Sequence, residues 1–131
     1  MLFSALLLAS NIISSTYLGV TLVPGEPTPI IQKIYTTIPE KGNWVVIPKG
    51  TKTITIYVEA DNAETILFWL VPTGTATWKE RKLIGYDTNP TDGWSLEWNI
   101  DGMDLYDHIQ VQALSHTKIS NDLFNITTER K

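Results

Sequence analysis

The sequence predicts an all-β domain, an antiparallel sandwich of about seven strands behind an apolar N-terminal extension, and three observations carry that prediction. Apolar residues recur with period two from Trp44 onward, turn residues interrupt them at short intervals, and no segment makes a convincing helix. The chain has 131 residues, room for one domain and one core. Its apolar fraction of 43% and charged fraction of 18% describe a chain that packs an interior and does not stay disordered.

Residues 1–29 are the extension and its hinge. No charged residue occurs from Met1 to Val23. A secretory leader would account for Leu2–Ala9, but the first cation is Lys33, so the basic start of a leader is missing. A membrane span needs about 20 apolar residues, and Ser10, Asn11, Ser14, Ser15 and Thr16 interrupt this one. The remaining reading is a segment that adds to a partner. In Tyr17–Val23, Leu18, Val20 and Leu22 fall on one face of a strand. Pro24, Pro27 and Pro29 then bar a central strand or helix interior and mark a hinge.

The sandwich is expected over residues 30–131. Ile30–Ile38 makes a short first strand, and Pro39–Asn43 a turn. Lys52–Glu59 puts Ile54, Ile56 and Val58 on one face. Thr65–Val71 is apolar on both, with Ile66, Phe68 and Leu70 opposing Leu67, Trp69 and Val71, so it is buried twice over. Pro72–Thr77 is a loop and Lys82–Asp87 a short strand. Trp94, Leu96, Trp98 and Ile100 alternate inward, as do Ile109, Val111 and Ala113, and Leu123–Thr128 closes the set.

The runs ThrIleThrIleTyrValGluAla, PheTrpLeuValProThrGlyThr, LeuIleGlyTyrAsp, GlyTrpSerLeuGluTrp and HisIleGlnValGlnAla occur in that order. On them, the segment from Trp44 to Thr128 resembles the immunoglobulin-like and fibronectin-type-III-like modules of bacterial surface and secreted proteins. The resemblance implies an immunoglobulin-like sandwich in which these runs are strands B, C, C′ or D, E and F. It also implies that Val58 and Val111, or their neighbours, fill the space that a B–F disulfide occupies in antibody domains. It implies no active site, because such modules share an architecture and not a chemistry.

Charge and composition exclude several functions. Net charge is −4, and Lys79, Arg81 and Lys82 form the only internal cationic cluster, so nucleic acid is not expected as a partner. There is no cysteine, which removes disulfides, thiolate catalysis and zinc–thiolate sites. Asp101, Asp104 and Asp107 recur every third residue near Asp87 and Asp92, but they match no calcium loop of fixed geometry and read as a polar loop, so no metal is expected. His108 and His116 have no nucleophile motif beside them, and no catalytic residue or cofactor is expected.

These residues lead to an expectation of a non-enzymatic structural subunit, extracellular or on a cell surface, that binds copies of itself. The interaction residues expected are Leu18, Val20 and Leu22 on the donated segment, and Leu67, Trp69 and Val71 on the strand that needs a cover. Trp78, in a Thr-rich loop beside Lys79 and Glu80, is a possible platform for a glycan, and a glycan-binding or adhesive module is the alternative function. A membrane-tethered domain, with residues 1–23 spanning the bilayer, is the third reading.

Overall fold

The computed structural model describes residues 25–74 and 77–130. It is mostly β. The strands are β1 (Ile30–Thr36), β2 (Glu40–Lys41), β3 (Trp44–Ile47), β4 (Thr53–Asp61), β5 (Thr65–Pro72), β6 (Lys82–Asp87), β7 (Trp94–Asn99), β8 (Tyr106–Leu114) and β9 (Ile119–Thr128). The described helix amounts to two single 3-10 turns, Trp78–Glu80 and Pro90–Asp92. Leu18, Val20 and Leu22 lie outside the described residues. Among the described residues, no helix is long and apolar enough to cross a membrane.

The strands form two sheets, one of three strands in the order β1-β4-β7 and one of six in the order β2-β3-β9-β8-β5-β6. Period-two alternation supplies the core between them. Ile54, Ile56 and Val58 of β4 and Trp94 and Trp98 of β7 face Ile66 and Phe68 of β5, Ile109, Val111 and Ala113 of β8, and Phe124 and Ile126 of β9 in one buried cluster. Val58 and Val111 are both in it. Gly85 lets the edges of the sheets close up: a Cβ on it would lie 2.4 Å from Leu96 Cδ1.

Three features differ from the sequence reading. The described strands number nine, because the expected turn Pro39–Asn43 contains the two-residue β2, which forms a hairpin with β3 about Gly42 and Asn43, with φ of 50° and 58°. Two successive left-handed residues make the tight turn that suits a hairpin's twist. The pairing is also not wholly antiparallel, since β3 runs parallel to β9 from Trp44 opposite Asn125 to Ile47 opposite Thr128. This follows from the chain leaving the small sheet after β1 and entering the large one with the β2–β3 hairpin. Finally, β9 begins at Ile119, because the turn closed by Ser115 N–H to Lys118 O (2.9 Å) sends the chain straight back. The polar run Ser120-Asn121-Asp122 had concealed that start.

The second half of the proline-rich segment is fastened to the domain. The Glu26 carboxylate accepts from the Thr117 backbone N–H (3.2 Å) and hydroxyl, Lys118 Nζ donates to Glu26 O (2.8 Å), and the Ser120 hydroxyl donates to the carbonyl of buried Pro29. The Thr117 hydroxyl is the main cause of a lowered Glu26 pKa, outweighing slight desolvation. A carboxylate with a depressed folded-state pKa stabilises above its unfolded value and loses that contribution as pH falls through the folded one. Acidification through and below the ordinary carboxylate range is therefore expected to release this anchor while the core stays folded. Amide exchange at Thr117, followed by NMR against pH, checks it; an unchanged amide down to full protonation would show that Glu26 does not hold the segment.

Candidate functional site

The outer faces of the two sheets differ in chemistry. On the three-stranded sheet the cross-strand pairs Lys33 with Glu59, Tyr35 with Tyr57, Thr55 with Glu97 and Thr53 with Asn99 point away from the core. Tyr35 and Tyr57 stack at 5.0 Å, with Lys33 Nζ 4.9 Å from the Tyr35 ring. This face is polar and carries carboxylates.

On the six-stranded sheet the outward rows read Tyr86, Leu67, Gln112, Asn121; then Leu83, Trp69, Gln110, Leu123; then Val71, His108, Asn125, Trp44. None of these positions holds a carboxylate. Tyr86 is 63% exposed, Leu83 47% and Leu123 55%, and these large apolar side chains share the face with amides.

The sequence-predicted stripe on β5 lies here. Leu67 is half-buried beside the exposed Tyr86. Trp69 is half-buried, and its indole N–H donates to Gln112 Oε1 at 2.7 Å. The Arg81 guanidinium sits between two indoles, 4.5 Å from Trp69 and 3.9 Å from Trp78. Val71 is buried, beneath a depression of about 90 Å³ that it lines with Trp78, His108, Gln110 and Leu123. The Trp69–Val71 end is thus covered by Trp78 and Arg81 of the same chain, whereas the Leu67 end meets the exposed edge at β6. Trp78, 40% exposed, offers one indole face to Arg81, which occupies part of the platform expected for a sugar.

The other candidate residues are engaged within the fold. His108 Nδ1 and Asn125 Oδ1 are 2.6 Å apart, and Asn125 Nδ2 donates to Asn43 O at 3.1 Å. Asp104 accepts from the Thr128 hydroxyl (3.0 Å) and pairs with Arg130 at 3.4 Å, Asp107 accepts from the Tyr106 N–H (2.9 Å), and Asp87 from the Ser95 N–H (3.0 Å). Among the described residues, no three His, Asp or Glu side chains converge as metal ligands.

Among the described residues, four strands have a free edge: β1 and β7 in the small sheet, β2 and β6 in the large one. Three of them are blunted. The first, β1, is bulged between Ile31 and Lys33 and carries Lys33; β2 has two residues; β7 carries Glu97, and its Ser95 N–H is taken by Asp87. The fourth, β6, is also bulged, at Ile84, and is bounded by Lys82 and Asp87, but its centre, Leu83-Ile84-Gly85-Tyr86, is uncharged and free of proline. Sequence reasoning placed this strand but missed Leu83 and Tyr86 as surface residues. A bulge at Ile84, opposite the Phe68–Trp69 step of β5, shifts the register, so that Leu83 and Tyr86, three apart, share one face.

Comparison with protein-family models, with curated proteins and with solved structures finds no match to this chain.

Proposed function

We propose that the chain is a non-enzymatic structural subunit that assembles by donating its N-terminal segment to a neighbouring copy, with β6 and the adjoining outer face as the acceptor. The observation that supports this most is the contrast among the free edges. An edge strand with an uncharged, proline-free centre that carries exposed Leu83 and Tyr86 is a template for another strand. The donor has matching character: residues 1–23 carry no charge, and Leu18, Val20 and Leu22 can enter alternate sites along an edge. Head-to-tail donation of this kind does not close on itself unless the rotation between copies does, so it builds rings or filaments.

The finer fold type belongs to the same proposal. We infer an immunoglobulin-like sandwich, because the pairing order equates β4 and β7 with strands B and E of one sheet and β9, β8, β5 and β6 with G, F, C and C′ of the other. The pairing of β6 with β5 and not with β7 favours C′ over D. A location outside the cell or on its surface rests on the resemblance to surface modules.

Leu83→Lys tests the acceptor. The side chain is 47% exposed, so the substitution is expected to leave the melting temperature unchanged. It is expected to weaken assembly at least about fivefold, since even an unpaired neutral polar group in an apolar contact costs roughly 1–3 kcal/mol and a charge costs more. Analytical ultracentrifugation of the full chain reads the effect, and assembly equal to that of the unsubstituted protein would remove β6 from the contact.

A further inference from the structure

Farther across the same outer face, centred on β9 three strands from β6, the fold builds a groove that the assembly reading does not use. Trp44 opens β3 and Tyr106 opens β8, and their rings meet above β9 in a stack with centroids 5.1 Å apart and planes 14° from parallel. The β2–β3 hairpin sets Lys41 opposite Trp44. Beyond Tyr106, the Arg130 guanidinium lies 5.5 Å from the ring centroid, held by donation to Leu105 O at 3.2 Å and by Asp104. Trp44, Val46, Tyr106 and Thr127 line a groove of about 380 Å³ between Lys41 and Arg130.

Its volume lies within the range of about 300–1,000 Å³ common for small-molecule sites. No carboxylate lines it, although the chain has 14 acidic residues against 10 basic ones. Two cations flanking an aromatic wall suit a ligand that combines an apolar ring face with negative charge, and the Thr127 hydroxyl, which donates to Leu105 O at 3.1 Å, is left to accept from a ligand hydroxyl. The geometry points to a binding site for an acidic saccharide, its pyranose C–H face against the Trp44–Tyr106 wall and its carboxylate or sulfate between Lys41 and Arg130. An acidic peptide fits less well. Next to the groove, β3 is paired along its length by β9 and at Trp44 and Val45 by β2, so that Val46 and Ile47 alone are open on one side, too short a ladder to hold an extended segment. The site is separate from Trp78 and from β6, so it stands or falls independently of the assembly mechanism.

The experiment is calorimetric titration of the full chain at low ionic strength with four probes: a galacturonate oligomer, a chondroitin sulfate oligomer, a neutral malto-oligosaccharide and oligoglutamate. The expected result is binding of at least one acidic saccharide, no binding of the other two probes, and weakening as salt screens the cations. Binding of the galacturonate oligomer shows that a carboxylate suffices, and because chondroitin sulfate carries glucuronate carboxylates as well as sulfates, comparison with its desulfated form tells the two groups apart. Lys41→Gln and Tyr106→Ser, both at exposed positions, are each expected to reduce the affinity about tenfold with an unchanged thermal melt. Failure of both acidic saccharides to bind, equal binding of the neutral oligomer or of oligoglutamate, or an affinity indifferent to both substitutions would each overturn the assignment.

Discussion

Trp98→Ala is expected to cost about 3–5 kcal/mol of folding stability, the usual loss when a buried tryptophan is truncated. Trp98 is 6% exposed and sits opposite Ile54 of β4, itself 1% exposed, inside the cluster shared by both sheets. Removing the indole deletes its apolar contacts and leaves a cavity that flanking strands, tied by ladders on both sheets, cannot close. Because domains of this size are stable by only about 5–15 kcal/mol, the variant should sit near the edge of folding. Urea denaturation of the two proteins measures the difference. A loss below about 1 kcal/mol would mean that Ser95, Glu97 and Asn99 face inward instead, since a one-residue slip exchanges the two faces of a strand.

The core was legible because it depends on local alternation. Ile54, Ile56 and Val58, Trp94 and Trp98, and Ile109, Val111 and Ala113 are each buried as their period-two spacing predicts. What stayed hidden depends on contacts between distant segments. The parallel pairing of β3 with β9 joins residues some eighty positions apart, and no local pattern marks it. The cover over Val71 was hidden for a similar reason: Trp78 could be seen as a loop tryptophan, but its stacking on Arg81 and Trp69 depends on how the 3-10 turn at Trp78–Glu80 folds back. Tyr106 and Trp44 lie 62 residues apart by number and meet only because β8, β9 and β3 are neighbours. Polar edges were the other blind spot, as with Ser120–Asp122, where strand is set by the ladder to β8 and not by side-chain pattern.

Deleting residues 1–23 is expected to leave the sandwich folded and to abolish assembly. The buried cluster lies entirely between Val45 and Ile126, and the anchor made by Glu26 and Pro29 is retained by a deletion that stops at Val23. No described core residue is lost, so the melt should stay cooperative. The removed segment supplies Leu18, Val20 and Leu22, which the proposal seats along β6 of a neighbour. A synthetic peptide covering Thr16–Val23 should bind the truncated protein, and the same peptide with Val20→Lys should bind it more weakly. The most direct measurement is sedimentation velocity of the full and truncated chains at matched concentration, with electron microscopy of the same samples. The account predicts rings or filaments from the full chain and a folded monomer from the truncated one; the same oligomer from both would contradict it.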